Sequence, residues 1–449
     1  MTSLLGRDDA PAEPLPPAGR PDRSDGSGRD HGMFRSLRVR NYRLFAGGQL
    51  VSLTGTWMQR VAQDWLVLQL TNSATVLGVV TALQFAPSIL LGLWGGMLAD
   101  RSDKRRLLLG TQSALAGAAL ILGLLTVTHT VALWHVMVLA VVVGVISAVD
   151  TPTRQAFAVE MVGREDLANA VAINSTIFNA GRVIGPAIAG VTITAVGTGW
   201  AFLANALSSG AVLIGLAMMR TRELHPAPPL GRAPGQLREA LTYVRARIDL
   251  KLAMLLAFVV GTFGMNFQVT TAVLAKQVFH HGAAGFGLLS TALAVGACLG
   301  AVLATRRDRR PSGVFLVGTA VAFGLIEIVA GSMPTFDTTA IVLVPAGLCM
   351  LSFSTAANSS VQLGTDPAMR GRVMALYLMC FMGGTPVGAP AIGWVAEAFG
   401  PRWGMVGGGV ISAVAAAVIG LVLAHRRDLR VGDLVGRVEH EISDLRPTH

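Results

Sequence analysis

The sequence is short of charge. Only 14% of its 449 residues are Asp, Glu, Lys or Arg, against about 25% in a soluble domain. That is too little to cover a water-facing surface of this size, which excludes an ordinary soluble enzyme. Cysteine is scarce as well: Cys298, Cys349 and Cys380 all fall in apolar runs, with no CxxC or CxxH spacing. Disulfide and thiolate-metal readings therefore lack support, and the three read as small core hydrophobes. Lysine is nearly missing, 3 against 33 arginines, a mark of a GC-rich bacterial genome rather than of function. No phosphate loop, nucleophile elbow or Ser/Lys signature occurs, so ATP drive within this chain and hydrolytic chemistry have no motif, and neither an enzyme activity nor a cofactor is expected. His129, His135, His280 and His281 fall near one side but lack helix-borne HxxxH spacing, so no metal site is expected. Asn174-Ser-Thr matches a glycosylation triplet but lies within an apolar run.

What the sequence has is hydrophobic runs. The apolar fraction is 52%, gathered in stretches such as 107–127, 131–149 and 253–263. Runs near 20 residues match a hydrocarbon core of about 30 Å at about 1.5 Å per helical residue. In lipid the backbone must satisfy itself, so these runs are predicted to be helices. Twelve spans are predicted near 44–69, 74–98, 107–127, 131–149, 168–195, 199–219, 252–275, 285–304, 313–331, 338–356, 373–396 and 403–424. The net charge of +10 invites a nucleic-acid reading, but the basic residues are scattered among short loops rather than arrayed in a stripe. With the N-terminus in the cytoplasm, 29 of the 36 Lys and Arg fall in inner segments, and only Lys276 and Arg402 fall in outer ones. Arg7, Arg20 and Arg23 belong to the inner tail, while Arg60 and Arg182 lie within spans. An even number of spans with both termini cytoplasmic, in a bacterial inner membrane, follows from that bias.

Residues 1–32, rich in Pro, Gly, Asp and Arg, are expected to be a disordered tail without a signal peptide. Residues 34–44 read as a basic, amphipathic lead-in. A first six-helix half is placed at 33–219 and a second at 252–425, with a tail at 426–449. The linker 220–251 contains Pro226, Pro228 and Pro229, then Leu237, Leu241, Val244 and Ile248 at the spacing of a surface helix. The halves read as repeats. Gly181, Gly185, Gly190, Gly197 and Trp200 recur as Gly384, Gly388, Gly393, Gly400 and Trp403, every offset being 203. Gly92 and Gly96 recur as Gly296 and Gly300 at offset 204. Repeated halves around a central site are common among secondary transporters.

The turn after the second span reads Gly96-Met-Leu-Ala-Asp100-Arg101-Ser-Asp103-Lys104-Arg105-Arg106. It resembles the signature loop G-x-L-A-D-R-x-G-R-K of the major facilitator superfamily, with Asp103 where that pattern has Gly. The resemblance implies an inner gate in which Asp100 pairs with Arg101 or Arg154, or meets the positive end of a helix from the other half. The equivalent loop, 304–310, has lost the pattern. Gly181-Arg-Val-Ile-Gly185-Pro186-Ala-Ile-Ala-Gly190 is similar to the antiporter motif of drug–proton exchangers, with Ala189 in place of one Gly and Ala172 in place of an earlier one. Close helix packing through small residues is the alternative. With the first-span segment, Asp150-Thr-Pro152-Thr-Arg154-Gln155 resembles the bacterial enterobactin-exporter-like branch, over about 34–425. The resemblance implies an all-α membrane protein of 12 transmembrane helices in two six-helix repeats, and proton-driven export of hydrophobic, drug-like or siderophore-like molecules by a monomer. A lysophospholipid flippase, an importer of the same fold, and a membrane sensor are the alternatives.

Charges inside spans are costly and are candidates by default. Arg60 and Asp64, four apart, share a helix face. Asp64 is a candidate proton carrier with Arg60 tuning it, or else an ordinary ion pair near the outer surface, since it lies about 30 Å beyond the start of its span. Glu327 is the alternative carrier. Arg182 is a candidate for an anionic substrate group; for Arg182 and Glu327 a structural interhelical pair is the other reading. Gln59, Gln63, Asn174, Asn179, Asn266 and Gln268 are candidates for cavity lining, or for interhelical hydrogen bonds.

Overall fold

A computed structural model describes residues 35–163, 166–225, 236–305 and 311–426. The expected tails, Pro226, Pro228, Pro229 and residues 306–310 lie outside the described residues. The order is α1 (Arg40–Thr71), α2 (Ala74–Arg101), α3 (Lys104–Val127), α4 (Leu133–Val162), α5 (Leu167–Val196), α6 (Thr198–Ala217), α7 (Gln236–Ala246), α8 (Ile248–Val259), α9 (Phe267–Val273), α10 (Ala283–Thr305), α11 (Gly313–Ser332), α12 (Phe336–Gly364), α13 (Arg370–Gly383), α14 (Thr385–Phe399) and α15 (Pro401–Arg426). One π-helical turn, Val260–Gly264, links α8 to α9 and a second, Leu274–Val278, extends α9, making one interrupted rod. Eleven stretches of described residues are long and apolar enough to cross a membrane, with Ile248–Val278 and Arg370–Phe399 each counted as one. The twelfth predicted span, α1, falls outside that set.

The short turns carry their own helix starts. Ser73 accepts from the Val76 amide (3.2 Å), Asp103 from Arg106 (3.1 Å), Ser312 from Phe315 (3.1 Å) and Thr335 from Thr338 (3.3 Å). Each satisfies an amide that the first helical turn leaves orphaned. Asp103 thus replaces the expected Gly without loosening the turn, because an N-cap at φ −62° needs no glycine.

Several boundaries differ from expectation. α4 runs to Val162 and α12 to Gly364, past the predicted ends at 149 and 356. Pro152 does not stop α4. The carbonyl it leaves unbonded, that of Ala148, faces Gly95 of α2, where a Cβ would stand 2.1 Å from it. The polar end of α4 is tied to α3 by Lys104–Glu160 at 2.8 Å. The lead-in before α1 is a short 3-10 turn, Arg35–Arg38, rather than a surface helix. Ser36 docks it on the start of α5 through Asn169 Oδ1 (2.9 Å) and the Asp166 carbonyl (3.0 Å). The linker helix α7 is present, but among its described side chains Ala240 and Val244 are buried, while Leu241 of the predicted stripe is exposed; Ile248, also exposed, begins α8 instead.

α2 packs on α4 and α14, α10 on α12 and α5, α6 on α1 and α3, and α15 on α11. Residues 203 apart play matching parts. Gly197 ends α5 at φ 97° and Gly400 ends α14 at φ 112°, the region where an L side chain is strained. Gly185 seats α5 on Thr54 and Trp57 of α1, and Gly388 seats α14 on Thr262. A Cβ at Gly388 would stand 1.7 Å from the Thr262 carbonyl oxygen, whereas Gly117 faces open space. Gly388→Ala is expected to cost about 1–3 kcal/mol and to lower the melting temperature of the purified protein in a fluorescence thermal-shift assay. Gly117→Ala is expected to leave it unchanged.

Candidate functional site

Two cavities meet at Arg60. The larger, about 520 Å³, lies among α1–α6 and takes in Gln49, Gln59, Gln63, Gln84, Gln112 and Gln155. Six of the chain's 11 glutamines thus face one space. Asn174 and Asn205 add two further carboxamides. The smaller, about 200 Å³, is walled by α1 and α5 on one side and by the α8–α9 rod, α10 and α12 on the other. It holds Trp57, Arg60, Asp64, Arg182, Gln268 and Met350. Apolar helices surround both spaces, so each polar group has a defined partner or faces the void.

In the larger cavity Asp150 is the best-satisfied acid. It accepts from Thr111 (2.7 Å) and Gln112 (2.8 Å) and is paired with Arg154, one helical turn on. Arg154 also reaches Gln49 at 2.6 Å. These two residues therefore belong to the cavity wall and not to the gating loop in which the sequence placed them. Gln59 accepts from Asn205, Gln63 donates to Gln84 (3.1 Å), and Asn174 accepts from the Tyr42 hydroxyl (3.0 Å). Gln49, Gln84, Gln112, Gln155 and Asn205 were missed. Their signal, a glutamine on successive apolar runs, says only that a polar group faces inward; which runs meet is a tertiary fact.

Asp64 is 6% exposed and its Oδ2 has no hydrogen-bond partner among the described residues. It is not a surface ion pair: α1 continues to Thr71, and Leu66–Leu68 beyond it are buried. Arg60 stands over the Trp57 ring, Cζ 4.7 Å from its centroid. Arg182 shares that ring at 6.0 Å and reaches Met350 Sδ at 4.0 Å, not a carboxylate. Gln268 lines the same space. Asn266 does not. Its amide donates to the carbonyls of Thr262 (2.7 Å) and Phe263 (3.2 Å), which the π turn leaves open. Asn179 donates to Ser175 on its own helix and also stands apart. Glu327 is 2% exposed, set beside Gly264 and Gly408 away from both cavities, and its Oε2 lacks a partner.

At the end where α1 begins, the signature loop binds its own neighbours. Lys104 pairs with Glu160, and Arg105 caps α6 through the Leu216 (2.7 Å) and Ala217 (3.0 Å) carbonyls. Gly96 is buried near the end of α2, while Asp100 and the exposed Arg101 follow it. In α5, Gly181 and Gly185 seat against α1, Gly190 against Ala284, and Pro186 lines the smaller cavity. At the opposite end the turn from α1 to α2 is gripped from both sides. Lys276 donates to the Leu68 carbonyl and Gln277 to that of Asn72 (3.0 Å). Glu397 accepts from Ser73 Oγ (3.0 Å), the Thr75 amide (3.2 Å) and the Thr75 hydroxyl. Cation meets a helix C-terminus and anion a helix N-terminus, as their dipoles favour.

Long apolar helices around a polar void are the architecture of a polytopic membrane protein, common among transporters. Solved structures share the fold. A bacterial homologue of the human lysosomal transporter Spinster superposes at TM-score 0.68, with 17% identity, over 85% of this chain and 96% of that one. A POT family transporter superposes at 0.68, with 13% identity, over 88% and 99%. The profile of the major facilitator family described as transmembrane secretion effector matches residues 31–440, and the chain belongs to that family. It is 30% identical over 254 residues to the staphyloferrin A transporter of Staphylococcus aureus, a match spanning 56% of this chain and 64% of that protein. It is 25% identical over 398 residues to the enterobactin exporter EntS of Citrobacter koseri, covering 88% and 92%. The family is one of multi-pass membrane transporters, not of enzymes.

Asp150→Ala strands the Arg154 guanidinium in the cavity wall. A loss of about 3 kcal/mol is expected, read as a lower melting temperature, with part of it recovered in the double variant Asp150→Ala/Arg154→Ala.

Proposed function

We propose that the chain is a proton-coupled exporter of siderophore-like or other small, partly hydrophobic molecules, working by alternating access as a monomer. In this reading α1 is a twelfth span whose polar residues face the cavity instead of lipid. The spans form two six-helix repeats, 33–219 and 252–425, joined by a cytoplasmic linker, with both termini in the cytoplasm of a bacterial inner membrane. The matching contacts of residues 203 apart and the distribution of basic residues support it. The siderophores that both relatives are named for support the cargo class, and the enterobactin exporter alone supports the outward direction.

The observation that carries the mechanism is Asp64, a buried carboxylate with one oxygen unpartnered, set in a cavity between the first six helices and the rest. A group so placed binds a proton readily and loses it when water reaches it. Loading and unloading Asp64 on opposite sides couples the proton gradient to the exchange of states. The signature loop, with Gly96, Asp100, Arg101, Lys104 and Arg105, closes the cytoplasmic side, and the Gly181–Gly190 segment lets α5 move closely past α1 and α10. The Lys276/Glu397 grip closes the outer side. Glu327 is the second candidate carrier.

The test uses everted vesicles from an efflux-deficient bacterium and the quenching of a pH-sensitive dye. A siderophore, a lipophilic cation or a lysolipid is added to wild type, Asp64→Asn and Glu327→Gln. Proton release on addition of one compound, abolished in Asp64→Asn and retained in Glu327→Gln, is the expected result. Lysolipid movement without a gradient, and no proton release with any compound, would replace the exporter with a flippase.

A further inference from the structure

The smaller cavity holds more positive than negative charge. Arg60 and Arg182 both line it, and both guanidiniums stand over one indole, that of Trp57. Asp64 is the one acid among the described residues lining it, and its Oδ2 has no hydrogen-bond partner. The remaining buried acids nearby are committed or distant: Asp150 to Arg154, Thr111 and Gln112, and Glu327 beside Gly264 and Gly408. Two guanidiniums facing one carboxylate leave a surplus cation among apolar helices, an arrangement that an incoming anion relieves. A guanidinium is also the donor best shaped for a planar oxyanion, because its N–H groups meet both oxygens at once. Beyond these charges the lining is mostly apolar, with Phe267, Phe286, Pro186, Leu293 and Val61 offering a face for a ring, while Gln268, Thr271 and Ser290 are its uncharged polar members.

We propose that Arg60, Arg182 and Trp57 form an anion subsite that takes the carboxylate of an aromatic acid, with the ring against Phe286 and Phe267. In the transport reading, on which the role of cargo rests, this acid is one arm of the exported molecule. The rest of that molecule extends past Arg60 into the carboxamide-lined cavity. The ligand's carboxylate and the ionised form of Asp64 compete for Arg60, one helical turn from Asp64, so removing the charge of Asp64 tightens the hold on the ligand.

The experiment compares para-fluorobenzoate with its neutral isostere para-fluorobenzamide, by fluorine NMR on the full chain in lipid nanodiscs. Wild type is expected to bind the carboxylate at least about tenfold more tightly than the amide, the worth of a charge-assisted hydrogen bond. Arg182→Gln is expected to abolish that preference, Arg182→Lys to keep part of it, and Asp64→Asn to raise carboxylate affinity. Equal affinity for the two probes in wild type, or no carboxylate binding up to about 10 mM, overturns the proposal. So does an undiminished preference in Arg182→Gln. If that variant does not fold, Asp64→Asn decides, and an affinity unchanged from wild type overturns the proposal. Binding is read without a gradient. Absence of driven flux therefore defeats the transport reading alone, and flux without anion preference defeats the subsite alone.

Discussion

A peptide group inside a membrane has no water to turn to, and the shape of this protein follows from where its backbone would otherwise go unbonded. Uninterrupted helices need nothing further. The interruptions do, and each has a local answer. Asn266 covers the carbonyls opened by the π turn at 260–264. Gly95 makes room for the carbonyl that Pro152 frees. Arg105, Arg247 and Arg402 bind the last carbonyls of α6, α12 and α11. Part of the small stock of charge in this sequence thus serves helix ends inside the bundle.

The same constraint sorts the polar residues within the bundle. Lipid-facing positions take Leu, Val, Ile and Trp, such as Leu90, Leu207 and Trp134, which remain exposed once the chain is folded. Carboxamides and hydroxyls that cannot face lipid face one another, and their convergence creates the larger cavity. Asp150 shows how costly an ionised group is in that setting: three donors gather round one carboxylate. Asp64 and Glu327 lack such shells. That contrast separates an acid held in a network from two that each leave one oxygen unpartnered among the described residues.

The number and order of helices were largely legible, because runs of apolar residues near the thickness of a bilayer leave few other options. The glycine spacing was legible too, in that Gly185 and Gly388 each seat a helix closely and Gly197 and Gly400 each end one. Helix ends were not. Once a helix leaves hydrocarbon, hydropathy no longer marks it, and so α4 and α12 ran past their predicted limits. Arg60, Asp64 and Arg182 were found by the rule that charge in a span is exceptional, and they meet in one cavity. Asn266 and Asn179 were misplaced because an amide that mends its own helix and one that lines a void look alike in sequence. Arg154 was misplaced because its helix continues where a loop was expected.

The grip on the α1–α2 turn has a further consequence. Lys276, Gln277 and Glu397 hold four residues of the turn, Leu68, Asn72, Ser73 and Thr75, by backbone groups and short hydroxyls. None of the carbonyl or amide partners depends on which side chain the turn carries. A latch built on the main chain tolerates sequence drift on one of its faces while demanding constancy on the other. Parting this seam would bare two helix termini together, and water would have to replace both sets of contacts.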